Sequence, residues 1–343
     1  MLILRPIERD DLDDLAALAD QLDSMNLPSD REFLRERIEL SRRSFAGKLD
    51  PDERGLYVFV LEDLEQGCCI GTSLILPKHG VPGAPYYWLE VSTEQRSSPV
   101  LDRNFVHTKL RLRSTEDGPT EVGGLILDPD YRRHPARCGK ALSIVRFAFI
   151  GLHPERFQRE VIAEMLSPFD IDGHNKMWDA FGRHFTGMEY READHLSARS
   201  KQFIADLFPR DPVYATLFPP EVQAVIGQPN DTAKAAVRIL ESVGFQPLNQ
   251  VDPFDGGPYY GCARDAITSV RERRELVLPS CAPSEETTSD REQPLVLLSA
   301  ETDLGFRATV VPIDEAGRPL VTRVCQDALG VSSGDLICVT PLP

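Results

Sequence analysis

The sequence contains no long apolar run. No stretch comes near the roughly 20 residues a helix needs to span a bilayer, and MLILRP meets ERDDLDD before a secretory apolar segment can form. The expectation is a cytoplasmic protein without a membrane partner. Positive charge is in deficit: 38 Lys and Arg stand against 54 Asp and Glu, a net charge of −16. That excludes a broad nucleic-acid-binding surface, which would be basic, and suits an enzyme whose local basic patch selects an anionic cofactor. Histidine is scarce, seven in 343 residues, with no HExxH and no paired spacing, so no metal is expected. The seven cysteines are odd in number and form no CxxC, and Cys68-Cys69 are adjacent; they read as reduced thiols. Two phosphate-binding signatures are missing, the GxxxxGK-Ser/Thr loop and the GxGxxG fingerprint.

What is present is a strand, a basic turn and a helix between Glu121 and Ile150. Val122 to Leu127 is a β-branched apolar run of strand length. Asp128-Pro129 ends it, because proline offers no N–H to a sheet. The turn carries Arg132, Arg133 and Arg137, with Lys140 just after. Gly139 opens a helix whose Ala141, Leu142, Val145, Phe149 and Ile150 follow a 3.6 period. The first-turn N–H groups of such a helix have no internal partner and favour an anion, so the unit can hold phosphate.

The pattern L-x-L-x-P-x-Y-R-R … G-K-A-L resembles the acyl-CoA-binding motif of GCN5-related N-acyltransferases. The resemblance implies that the turn grips the CoA pyrophosphate with Arg132, Arg133, Arg137, Cys138, Gly139, Lys140 and Ala141. It also implies that the strand edge at Leu125, Ile126 and Leu127 pairs with the pantetheine arm.

Along the rest of the chain, Leu2–Pro6 reads as a strand, Glu8–Leu22 as an amphipathic helix, and Asp30–Ala46 as a second helix capped by Ser29. Gly55–Glu62, Ile70–Leu76, Tyr86–Val91, Phe105–Leu112 and Glu160–Leu166 read as strands. His174–Phe185, Ser200–Phe208 and Pro219–Ile226 read as helices, as does Asp231–Val243, capped by Asp231 or Thr232. Phe245–Val251 reads as a strand. Pro279–Pro294 has linker composition. Leu295–Ser299, Phe306–Ile313, Leu320–Val324 and Leu336–Thr340 read as strands of a small barrel-like appendage.

Several segments together resemble the arginine N-succinyltransferase family. They are Tyr57-Val-Phe-Val-Leu-Glu-Asp63, Leu125-x-Leu-Asp-Pro129, Gly139–Phe147, Ala163-Glu-Met165, Ile226-Gly-Gln228 and Phe254-Asp-Gly-Gly-Pro258, covering about residues 1–275. The fold implied is α+β: a mixed, mostly antiparallel sheet with flanking helices, a second α/β half and the C-terminal appendage. The division expected is 1–190 for the acyl-CoA-binding domain, 191–275 for the half completing the substrate site, 276–294 for the linker and 295–343 for the β-rich tail. The activity implied is transfer of a succinyl group from succinyl-CoA to the α-amine of L-arginine. The chain departs from the family at three places: a turn two residues longer containing Pro135, Leu166 where an arginine follows AEM, and Asn230 where a histidine follows IGQ. These departures leave open ornithine or another amine, and another acyl donor. A non-catalytic sensor of CoA or an amino acid is a third reading, and oligomers of one or two chain types remain open.

The resemblance puts Glu121 at the start of the central strand as the base. Glu164 lies in an apolar strand, where a lone carboxylate costs several kcal/mol and requires a cationic or hydrogen-bonded partner; a guanidinium substrate would serve. Asp252, Phe254 and Asp255 precede a turn at Gly256-Gly257, where two carboxylates and a ring suit a cation. Trp178 and Asn230 complete the substrate-binding candidates.

Overall fold

The computed structural model describes residues 1–21, 30–50, 53–170, 172–197, 200–278 and 293–343. The strands run in chain order as β1 Leu2–Pro6, β2 Tyr57–Asp63, β3 Cys68–Leu76, β4 Tyr86–Ser98 and β5 Arg103–Thr115. Then come β6 Thr120–Leu127, β7 Glu160–Glu164, β8 Val213–Tyr214, β9 Gln246–Val251 and β10 Pro258–Ala263. The last four are β11 Arg274–Val277, β12 Leu295–Thr302, β13 Gly305–Pro312 and β14 Leu336–Pro341. All belong to one open sheet, ordered β11-β14-β12-β13-β1-β2-β3-β6-β7-β10-β9-β4-β5-β8. Every registered pair is antiparallel except β6 with β7.

The C-terminal strands therefore do not close into a barrel. They extend the main sheet through β13, which pairs with β1 at Leu4↔Ala308. Leu297, Phe306 and Ala308 join the same core as Phe59 and Phe149. Residues 320–324 are not a strand. Thr322 caps a helix at Arg323–Leu329 by accepting from Cys325 N at 3.2 Å, and Gly330 ends it in the left-handed conformation. Residues 279–292 of the expected linker lie outside the described residues, and so does Ser29.

Three of the helices pack on the central strands of the sheet. Helix α1, Leu12–Gln21, buries Leu15, Leu18 and Ala19. Helix α2, Arg31–Phe45, is capped by Asp30, whose carboxylate accepts from Glu32 N and Phe33 N. Helix α3, Cys138–Leu152, is buried almost all round, because it lies across β2, β3 and β6, reaches β12 and β13, and packs against the helix Lys234–Ser242. Among the described residues no helix is long and apolar enough to cross a membrane.

Two parallel strands that part

Strands β6 and β7 share only two registered pairs, Thr120↔Val161 and Glu121↔Ile162. Beyond these, β6 runs on for six residues without a β7 partner, so the two strands part. On the other edge of β6 the register to β3 shifts between Thr72↔Ile126 and Leu74↔Gly123, which is a β-bulge. Gly124 takes φ 57° there, and a Cβ on it would fall 2.6 Å from the Leu74 side chain, so this position requires glycine.

The sheet has two different faces at the gap. Val122, Val161 and Ala163 pack in one core with Val145 and Phe149 of α3. Ile162 packs on the opposite face with Tyr86 and Tyr259. Side chains alternate along a strand, so Glu164 projects with Ile162, away from α3.

Candidate active site

Glu121, the second residue of β6, meets His79. The His79 Nδ1 and Glu121 Oε2 are in hydrogen-bond contact, with the two side chains 14% and 18% exposed. Leu76 at the end of β3 is registered opposite Glu121, which brings the loop after β3, and His79 with it, to the carboxylate. The His79 backbone N–H donates to the Pro119 carbonyl at 2.7 Å, and its ring stands edge-on to Tyr86 at 4.5 Å. Burial pushes the Glu121 pKa up, but the charge and hydrogen bond of His79, with Lys201 and Arg37 behind, pull it below the usual carboxylate range. An ionised Glu121 makes Nδ1–H the donor in this contact and leaves Nε2 as the ring nitrogen outside it.

Three more carboxylates converge beside this pair. Glu164 ends β7, Asp252 follows β9, and Asp255 lies in the turn into β10; one oxygen from each lies within 4.8 Å of the others. Tyr259 stands opposite Glu164 in the antiparallel β7–β10 pair. Its hydroxyl is 3.0 Å from Glu164 Oε2 and 3.4 Å from Asp252 Oδ2. Asp252 Oδ1 accepts from Phe254 N at 2.7 Å and Asp255 N at 3.1 Å, while Asp255 accepts from Gly257 N at 2.7 Å and Ser167 N at 2.9 Å. Gly257 needs to be glycine, since a Cβ would lie 2.1 Å from the Met165 carbonyl.

Asp252 and Asp255 are buried, whereas Glu164 is half-buried and is the member a solute would meet first. Burial, then the charges of Asp252, Glu121 and Asp255, raise the Glu164 pKa well above the usual range. Burial followed by the charge of Asp252 pushes Asp255 up to about 7, and burial raises Asp252 too. Such a trio cannot hold three charges at neutral pH without a cation. Lys201, with Nζ 5.7 Å from the Phe254 ring centre, contributes one positive charge to this field. The same oxygens are also a ligand set of the kind hard divalent cations take; His174, Asp179 and Glu189 form a second, mixed nitrogen and oxygen group at the surface.

Not all the expected substrate contacts face this space. Trp178 is fully buried: its indole N–H donates to the Met188 carbonyl at 2.9 Å, and its ring stacks on Phe254 at 5.4 Å. It supports the wall from behind, because no surface is left for a solute to touch. The Asn230 side-chain oxygen accepts from Ala233 N and Thr232 Oγ1, both at 2.8 Å, so Asn230 is spent on the turn that precedes the helix Lys234–Ser242, whose N-cap is Ala233 and not Asp231 or Thr232. Its backbone N–H bonds the Leu166 carbonyl at 2.8 Å. Four side chains escaped the sequence reading: His79, Tyr259, Lys201 and Arg37. Of these, the half-buried Arg37 on α2 feels the charge of Glu121, as does the more exposed Arg54 near it, and partial desolvation lowers both pKa values.

The basic turn leads from β6 into α3. Asp128 N donates to the Ile70 carbonyl at 2.8 Å, and the Tyr131 hydroxyl donates to Asp63 Oδ2 at 2.7 Å. The extra residues spend their own amides, His134 N on the Tyr131 carbonyl and Arg137 N on the His134 carbonyl. The N–H groups of Cys138, Gly139 and Lys140 have no acceptor among the described residues. Arg132, Arg133 and Arg137 are exposed, with no ion pair among the described residues. Arg137 holds a left-handed conformation, φ 51° and ψ 48°. Lys140 Nζ is in contact with the Pro343 carbonyl oxygen.

An open, mostly antiparallel sheet that parts at one parallel pair, with a basic turn feeding a buried helix at that point, defines an acyltransferase of the GCN5-related type. The chain belongs to the arginine N-succinyltransferase family, whose model, described as arginine N-succinyltransferase beta subunit, matches residues 2–269. The arginine N-succinyltransferase of Yersinia pseudotuberculosis is 36% identical over 348 residues, covering 100% of this chain and 98% of the relative. That of Enterobacter sp. is 34% identical over 341 residues, covering 98% and 96%. The solved structure of arginine/ornithine succinyltransferase subunit AI from Pseudomonas aeruginosa is 28% identical, with a TM-score of 0.83 over 100% of this chain and 99% of that one. The C-terminal strands lie inside the likeness to these relatives, which corrects the expectation that it stops near residue 276.

Proposed function

We propose that this chain transfers the succinyl group of succinyl-CoA to the α-amine of L-arginine. The observation that carries the reading is the carboxylate trio Glu164, Asp252 and Asp255 beside the Glu121–His79 pair, at the point where β6 and β7 part. A guanidinium supplies the missing cation and forms bidentate bonds to a carboxylate. Arg37 and Arg54, on the same side as Glu121, suit the α-carboxylate of the acceptor. The unpaired amides of Cys138, Gly139 and Lys140, with Arg132, Arg133 and Arg137, suit the CoA phosphates. The free edge of β6 from Leu125 to Leu127 suits the pantetheine amides.

In the proposed reaction the α-amine of the free amino acid, mostly protonated at neutral pH, loses a proton before it attacks the thioester carbonyl. His79 Nε2 takes that proton while Glu121 holds the ring and balances the imidazolium. The C–N bond forms as the C–S bond breaks, and the CoA sulfur leaves as the thiol after taking up a proton. Glu121 is thus assigned the partner's role. Its low pKa makes it a poor base alone and a good acceptor for Nδ1–H.

The Pseudomonas neighbour's name includes ornithine, and an ammonium fits the same carboxylates, so ornithine is the second acceptor to test. The experiment is a matrix of succinyl-CoA, acetyl-CoA and butyryl-CoA against arginine, ornithine and lysine, read by thiol release and product mass. Succinylarginine as the dominant product supports the reading. CoA binding without turnover on any amine would replace it with a sensing role.

A further inference from the structure

Arg146 lies in the middle of α3 and is 3% exposed. Its Nε donates to the Ser143 carbonyl at 3.0 Å, its Nη2 to Ser143 Oγ at 2.8 Å, and its Nη1 to the Gly123 carbonyl at 3.3 Å. A guanidinium has five N–H donors, so two remain. Among the described residues no carboxylate pairs with it. Burial with nothing to offset it lowers its pKa to about 9. A buried cation without a counter-charge is costly, and an apolar side chain would fill the same volume more cheaply. The chain keeps this cation at one particular place, against the residue that begins the β6 bulge.

That place has a side. Gly123 is where β6 has lost its β7 partner, and the Arg146 guanidinium reaches it from the α3 face. Glu121, Glu164 and Tyr259 face the other way, with the carboxylates that suit a cationic acceptor. The gap between β6 and β7 therefore has excess negative charge on one face and a lone buried positive charge on the other. Arg37 and Arg54 sit with Glu121 on the acceptor face, so neither competes for this position.

We infer that Arg146 is a specificity-determining residue that binds the distal carboxylate of a dicarboxylic acyl group, from the α3 side of the gap. This rests on the succinyl-donor reading and deepens it. In a succinyl thioester the free carboxylate is two methylenes beyond the reacting carbonyl. With that carbonyl at the bulge, the carboxylate can meet the two unused N–H groups. The acyl charge and the acceptor charge are then read on opposite faces, and neither substrate can take the other's place.

The test compares succinyl-CoA with butyryl-CoA, which has a methyl group in place of the carboxylate. Kinetics are measured at saturating arginine for the full-length wild type, Arg146→Met and Arg146→Lys. Wild type should prefer succinyl-CoA. Arg146→Met should lower kcat/KM for succinyl-CoA by on the order of 10- to 100-fold, the worth of a charged hydrogen bond, and leave butyryl-CoA within about 3-fold. Inhibition by free CoA should not change, because its phosphates bind at the other end of the gap. Equal loss on both donors would make Arg146 a structural brace and overturn the inference. If Arg146→Met does not fold, Arg146→Lys is decisive: a raised KM for succinyl-CoA alone supports the inference, and an unchanged donor ratio overturns it. A wild type without succinyl preference would remove the donor reading itself, a result visible before any variant is made.

Discussion

Glu164→Gln separates the cost of the carboxylate trio from its use. Glu164 titrates well above its usual 4.5 because of burial and the charges of Asp252, Glu121 and Asp255. A carboxyl raised in the folded state contributes stability that is fully present below its unfolded pKa and is lost as pH rises towards the folded one. The loss is about 1.4 kcal/mol for each pH unit in that window. Glutamine does not titrate, and its amide oxygen can still accept from the Tyr259 hydroxyl. The variant should therefore match wild type in stability near pH 4 and become progressively more stable than it as pH rises above that. Its function should move the other way. Losing one charge-assisted bond to a guanidinium should raise the KM for arginine by about 10- to 100-fold and leave the KM for succinyl-CoA unchanged. Urea titrations at several pH values and thiol-release kinetics read the two effects. A stability difference that does not change with pH, or an unchanged KM for arginine, would refute the argument.

Replacing Arg137 by glycine should leave Tm nearly constant, because relief of a left-handed residue, about 1 kcal/mol, is offset by glycine's chain entropy. CoA affinity should fall by about 1–2 kcal/mol; calorimetry with an unchanged Kd would remove the side chain from the phosphate site. His79→Gln and Glu121→Gln should each lower kcat by about 10²–10⁴. The double variant should be little worse than the weaker single, and the defect should narrow at high pH as the amine loses its proton unaided; additive losses would show that the two act separately. Phe306→Ala should cost about 3–5 kcal/mol in denaturant unfolding, since the ring packs 5.7 Å from Phe59 and 5.2 Å from Phe149; a loss below about 1 kcal/mol would mean that the tail is loosely attached. Chelation with EDTA should leave activity unchanged, and a loss restored by a divalent cation would assign the carboxylate trio to a metal.

Much of this site was legible because buried charge is expensive. A glutamate inside V-I-A-E-M has to find partners, and so do two aspartates flanking Phe254; the fold brings these carboxylates together. His79 was illegible, because its nearness to Glu121 depends on the β3–β6 register and on no spacing within the chain. Arg146 was hidden by the apolar helix around it. Trp178 and Asn230 have side-chain chemistry that suits either a ligand or the chain's own backbone, and here the backbone takes it. The barrel was misread for a similar reason. Alternating strands such as Leu295–Ser299 look the same whether they curl on themselves or extend an existing edge, and the edge they extend belongs to Leu2–Pro6.

That edge has a consequence for how the chain is made. β1 has β2 on one side and β13 on the other, and Thr309 donates to the Leu2 carbonyl across 307 positions. During synthesis β1 and β2 are finished long before β13 leaves the ribosome. Until then the outer row of N–H and C=O groups on β1 is an open template for any extended chain. Closing it is a contact of very large sequence separation, which slows the last stage of folding and exposes it to aggregation. The segment β12–β13 can also be traded between molecules, since a β13 from a second copy can cover the waiting edge as well as the chain's own. Refolding yield should thus fall with concentration, with strand-exchanged dimers among the products.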